Sequence, residues 1–245
     1  AKAIASNATE VQMQARLSGG PGDVEWVAEC SLDRDAFLRG MVQKAGDEQF
    51  LSLAGSGVAS ALSDCQDILL TGATGFLGPF LLHELLLQTA SERRGRSRGS
   101  PPMVFCIVRA ETDQQARKRL RQEAMRLQTW EESFEQRITV LAGDVALPCL
   151  GLSTGRYAEL AFRVAHVIHN AAKVHGILPY RHLRSINVGG SLEILQLAGI
   201  GRSKSFHHVS SINVLRPADD HPESSLLVAD GYLVAGLLGV LDRMP

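Results

Sequence analysis

Three glycines, Gly72, Gly75 and Gly78, recur at even spacing in TGATGFLG, between the apolar run DILL and the helix-like stretch PFLLHELLL. The chemistry this arrangement serves is phosphate binding. Gly72 lets the chain turn sharply after a strand, Gly75 lets backbone approach a pyrophosphate with no Cβ in the way, and Gly78 lets a helix pack close to the strand. The start of that helix offers free N–H groups and a positive dipole end. The whole turn, from Thr71 and Gly72 through Thr74, Gly75, Phe76 and Leu77 to Gly78, is therefore expected to hold a dinucleotide. A second group lies after the run MVFCIV, which ends in RAE. An acidic residue there would bind the adenine ribose hydroxyls of NAD. Arg109 stands in its place, and a guanidinium suits a 2′-phosphate through paired, charge-assisted hydrogen bonds, so NADP(H) is expected. Arg117, Lys118 and Arg119 either add to this charge or form a solvated helix face, and Glu111 opposes it.

These groups need elements to position them. From Asp67 onward apolar strand-like runs alternate with helical patterns: strands at Ile68–Leu70, Met103–Val108, Ile138–Gly143, Val164–Ala172 and Phe206–Ser211, and helices at Leu77–Thr89, Asp113–Gln128, Gly155–Arg163 and Asn187–Ala198. Strands apolar on both faces and separated by helices predict an α/β fold, a Rossmann-like doubly wound parallel sheet. Residues 1–64 differ in texture. SGGPGD and AGSGVAS read as loops, and Leu32–Ala45 as one helix between them. This stretch is expected to be a linker that partly docks on a dinucleotide-binding domain over 65–245. The basic, glycine-rich SERRGRSRGSPP reads as a solvated loop between the first helix and second strand.

Composition narrows the partners. The 245 residues carry 25 Lys and Arg against 26 Asp and Glu, so no broad cationic field exists for nucleic acid or an anionic membrane surface. The apolar runs fall short of the roughly 18–20 residues that span a bilayer, and AKAIASNATE has no charged-then-apolar leader pattern. Cys30, Cys65, Cys106 and Cys149 are scattered, as expected of reduced thiols in a cytoplasmic protein, and the eight histidines show no metal-ligand spacing.

LLTGATGFLG, VRA, GDV, HNAA, LPYRHLRSINVGGSLEILQLA and HHVSS occur in this order over residues 67–215. Together they resemble the extended short-chain dehydrogenase/reductases, and within them the thioester reductase domains of nonribosomal peptide and polyketide synthases, aminoadipate reductases and carboxylic acid reductases. VEWVAECSLD is similar, more weakly, to the acidic linker before such domains. The resemblance implies that Asp144 and Val145 contact the adenine, that Asn170, Ala171 and Ala172 line the nicotinamide side, and that Asn187 sits in the helix bracing the fourth strand and the active-site loop. It implies reduction of an acyl thioester on a phosphopantetheine-bearing carrier domain. It also implies a catalytic hydroxyl at Ser211, with Ser210 as the neighbouring alternative, and a proton-donating Tyr232 in ADGYLVAG. The pattern then asks for Lys four residues on. Gly236 stands there, and Lys204 is the last lysine of the chain. The family continues further into a substrate-binding region, so the domain is expected to be incomplete at its C-terminus. Another extended reductase or epimerase, or a nucleotide-binding module without turnover, are the competing readings.

Overall fold

The computed structural model describes residues 34–63, 65–91, 101–175 and 177–211. SGGPGD, the acidic-linker resemblance, most of the basic insert, Tyr232 and Gly236 lie outside them. Five parallel strands form one sheet in the order β3-β2-β1-β4-β5: β1 Asp67–Thr71, β2 Val104–Val108, β3 Ile138–Ala142, β4 Val164–His169 and β5 Ser205–His208. The chain starts in the middle, winds outward to β3, crosses back, and continues on the other side of β1. The reversal leaves a crevice at the carboxyl ends of β1 and β4.

Alternation along each strand splits the core into two layers. Ile68 and Leu70 of β1 and Val104, Cys106 and Val108 of β2 face one side. They pack with Leu82 and Leu86 of α4 (Gly78–Ser91) and Leu120 of α5 (Asp113–Arg126). Leu69, Phe105 and Ile107 face the other, against Tyr157, Leu160 and Phe162 of α6 (Thr154–Arg163) and Ile194 and Leu197 of α7 (Gly190–Gly199). Asp67 is buried at the start of β1 because Arg163 pairs with it and its Oδ1 accepts the Met103 amide at 2.7 Å. A buried carboxylate needs such partners.

Several expectations change. AGSGVAS is not a loop: Gly55 and Ser56 merely separate α2 (Glu48–Ala54) from α3 (Gly57–Ser63), the first started by Asp47 accepting the Gln49 amide. With α1 (Arg34–Ala45), these helices pack on the outside of the helical layer formed by α6 and α7. Phe50 is buried with its ring centroid 5.1 Å from that of Phe162, and Lys44 pairs with Glu193 of α7 at 2.7 Å. The helix expected from Asn187 begins instead as a π turn, Ser185–Gly189. The fifth strand is not apolar on both faces: Ser205, His207 and His208 are exposed, and pairing stops at His208, short of Ser211.

Candidate dinucleotide cleft

The cleft, about 360 Å³, is lined by residues that directly follow four strands: Gly72, Thr74 and Gly75 after β1, Arg109 after β2, Gly143, Asp144 and Val145 after β3, and Asn170 through Val174 after β4. Ile107 and Val108 at the end of β2, with Arg119 and Ile186, complete it. That size lies within the range of small-molecule sites.

The three glycines of the turn have different reasons. Gly72 has φ +70°, and a Cβ on it would sit 2.7 Å from the Asn170–Ala171 peptide. At Gly78 a Cβ would lie 2.1 Å from the Gly72 carbonyl oxygen. The fold itself demands both. At Gly75 a Cβ would meet only the Gly72 oxygen, at 3.3 Å, and the residue is exposed at the cleft. Packing asks less of this position than of Gly72 or Gly78. Phe76 and Leu77 are exposed beside it, whereas Thr71 is fully buried.

On the β2 side, Arg109 is exposed at the rim and its carbonyl accepts Arg119 Nη1 at 3.0 Å. Two guanidinium-bearing residues thus meet where a 2′-phosphate is expected. Of Arg117, Lys118 and Arg119 on α5, only Arg119 takes this place among the cleft-lining groups. Arg117 is drawn away, donating to Glu135 at 2.5 Å and to the Ile138 carbonyl at 3.1 Å, and Lys118 faces solvent.

Asp144 is held by its own turn: its Oδ1 accepts the Ala146 amide at 2.9 Å, and its N–H donates to the Leu150 carbonyl at 2.9 Å. That carbonyl comes from a left-handed turn, with φ of 52° at Cys149, 60° at Leu150 and 70° at Gly151. Two non-glycine residues in this region cost energy. Full burial of Leu150 and the bond from Cys149 N–H to Glu193 Oε2, at 3.0 Å, hold them there.

After β4, Asn170 donates from Nδ2 to the Gly72 carbonyl at 3.2 Å, and its backbone N–H donates to Thr71 Oγ1, also at 3.2 Å. Asn187 clasps the Lys173 backbone, accepting its N–H at 2.7 Å and donating to its carbonyl at 3.0 Å. Sequence reasoning passed over His169. It is fully buried, joined to Thr71 and Ser191, and burial with His208 nearby pushes its pKa down to about 4. Lys173 was also missed as a cleft-lining cation. Ser211 is exposed three residues past β5. Among the described residues no His, Cys, Asp or Glu group is arranged to hold a metal, and no helix is long and apolar enough to cross a membrane. Burial pushes the Cys106 thiol up to about 12, which leaves it inert.

A doubly wound sheet with a glycine turn at its switch point defines the class: a Rossmann-type nicotinamide-dinucleotide-binding domain. Residues 70–230 match the NAD-binding family described as "Male sterility protein", and the chain belongs to that family. It is 37% identical over 180 residues to a linear gramicidin synthase polypeptide of Brevibacillus parabrevis, covering 69% of this chain and 3% of that protein. With the L-2-aminoadipate reductase large subunit of Penicillium chrysogenum it shares 36% identity over 164 residues, 67% of this chain and 11% of the other. Among solved structures, the terminal R domain from the myxalamid PKS-NRPS biosynthetic pathway superposes with a TM-score of 0.57 at 37% identity, covering 64% of this chain and 37% of that one. The reductase (R) domain of a non-ribosomal peptide synthetase from Mycobacterium tuberculosis gives 0.51 at 32% identity, covering 69% and 40%. The chain thus spans a small part of these two relatives and about two fifths of the solved reductase domains.

Proposed function

We propose that this chain is the coenzyme-binding part of an NADPH-dependent reductase that acts on an acyl thioester carried on a phosphopantetheine arm, releasing an aldehyde or alcohol. The observation that carries the reading is the glycine turn at the switch point, where Gly75 lacks a side chain that packing alone would tolerate. The relatives, named as reductases and as reductase domains of synthetases, support the choice of substrate and of a carrier domain as partner.

The residues divide the work. The backbone of the turn at Gly72, Thr74 and Gly75 faces the pyrophosphate, with the N-terminus of α4 behind it. Arg109 and Arg119 take the 2′-phosphate. Asp144 and Val145 line the adenine, and Asn170, Ala171 and Ala172 the nicotinamide. The bound coenzyme supplies hydride to the carbonyl carbon. Ser211 orients the carbonyl oxygen, where negative charge develops, and Tyr232 hands it a proton; collapse of the resulting hemithioacetal then breaks the C–S bond and frees the pantetheine thiol with the aldehyde. A reducing cytoplasm, which keeps both the thiols and the nicotinamide pool reduced, suits this role.

Gly236 favours a second reading, a module that binds coenzyme without turnover. With no lysine four residues on, the tyrosine lacks the cation that would assist proton transfer, at a cost of about 10²–10⁴ in rate. The test is a titration of the chain with NADPH and NADH beside an assay of aldehyde release from a carrier-bound acyl group. Tighter binding of NADPH with release of aldehyde is the expected result, and Gly236→Lys should speed that release. Binding without release in either form establishes the second reading. No affinity for either coenzyme in the folded chain defeats both.

A further inference from the structure

His169 is the last residue of β4 and immediately precedes the stretch that lines the cleft. Counting protons fixes how it is wired. Thr71 Oγ1 accepts the backbone N–H groups of Asn170 and Ala171, at 3.2 and 3.1 Å. Both hydroxyl lone pairs are then in use, so the Thr71 proton points to its third neighbour, His169 Nδ1, at 2.7 Å. Nδ1 is therefore the bare acceptor and Nε2 carries the hydrogen. Nε2 donates to Ser191 Oγ at 3.1 Å, and Ser191 passes its own proton to the Asn187 carbonyl at 2.7 Å. The side chain of that same Asn187 clasps Lys173. Every bond along this path has one direction only, and one imidazole sits at its centre.

We propose that His169 is a positioning residue: its neutral, Nε2-protonated ring fixes Asn170 and Ala171 through Thr71, fixes Lys173 through Ser191 and Asn187, and so sets the wall of the cleft after β4. That this wall holds a nicotinamide rests on the function proposed above; the wiring does not. The two arms leave the ring from opposite nitrogens, which makes them separable. An Asn side chain at 169 can offer an acceptor near the Nδ1 position, and a Gln side chain a donor near the Nε2 position. Phe offers neither.

The experiment combines nitrogen-15 NMR of the imidazole, amide hydrogen exchange, and NADP+ titration of the whole chain. The wild type should show a protonated Nε2 and a bare Nδ1. His169→Phe should speed exchange at Asn170, Ala171 and Lys173 and weaken NADP+ binding roughly tenfold. His169→Asn should restore protection at Asn170 and Ala171 alone, and His169→Gln at Lys173 alone. If the Phe variant does not fold, Thr71→Val and Ser191→Ala cut one arm each and should reproduce the same division. A hydrogen on Nδ1, or loss of protection spread equally over both arms in every variant, overturns the proposal, since a purely space-filling ring would behave that way. Wild type that binds no NADP+ defeats the functional reading, while imidazole and exchange measurements still decide the wiring.

Discussion

The turn at 72–78 and the stretch at 170–174 line the same cleft and touch each other, yet different forces hold them. Backbone against backbone shapes the turn: Gly72 lies against the Asn170–Ala171 peptide, and Gly78 lies under the Gly72 carbonyl. The second stretch shares that contact only at Asn170–Ala171. Along the rest of its length, side-chain hydrogen bonds from Thr71, Asn187 and Asn170 hold it. A steric lock fails when volume is added. A hydrogen-bonded clasp fails when a proton is added or a partner removed.

The largest effect should come from adding volume. Gly78→Ala puts a methyl group 2.1 Å from a carbonyl oxygen, and urea unfolding should show a loss above ~3 kcal/mol. Stability unchanged within ~1 kcal/mol would mean that the turn yields and the contrast is false. Adding a proton comes next. His169 has a folded pKa near 4, below the ordinary 6.5, with the ring of His208 at 5.2 Å and that of Phe206 at 6.4 Å. A depressed folded pKa means the unfolded chain takes up the proton first. The stabilisation is thus complete above pH 6.5 and fades as pH falls through 4, by up to ~3 kcal/mol. Thermal melts across that window measure it, and His169→Phe should flatten the slope.

Smaller effects sharpen the contrast at the ligand. Arg109→Ala should cut the preference for NADPH over NADH by roughly 10–100-fold while leaving NADH affinity unaltered, as for loss of a charge-assisted pair. Paired titrations read this directly, and an unchanged preference would move the phosphate site elsewhere. Gly75→Ala should have the smallest structural effect, below ~1 kcal/mol of stability, because only the Gly72 oxygen must give way. Its coenzyme affinity should nonetheless fall by roughly tenfold. Equal losses of stability and affinity would reduce Gly75 to a packing residue.

The steric wall was legible in the sequence and the hydrogen-bonded wall largely was not. Glycine spacing after an apolar strand reports backbone geometry locally, and the doubly buried strands announce themselves by continuous apolar runs such as VFCIV. His169 carries no such local mark, because its partners, Thr71 and Ser191, lie 98 and 22 residues away. A threonine ending β1 and a histidine ending β4 were the available signal, and they become neighbours only once the strand order is known. The left-handed turn at Cys149 and Leu150 was unreadable for another reason: neither residue favours that conformation, and tertiary contacts impose it. AGSGVAS misled because its small residues suit a loop or a short helix equally, and burial of Ala59 decided for helix.

Glu193 receives both Lys44 from α1 and the Cys149 amide. The helices before β1 therefore act at a distance on Asp144, through the turn whose Leu150 carbonyl holds it. Trimming the polypeptide at residue 64 to obtain a minimal binding fragment would strip Lys44 from that carboxylate and the Phe50 ring from Phe162. The Asp144 side of the cleft in the shortened fragment would loosen first, although not one residue of the cleft itself had been removed.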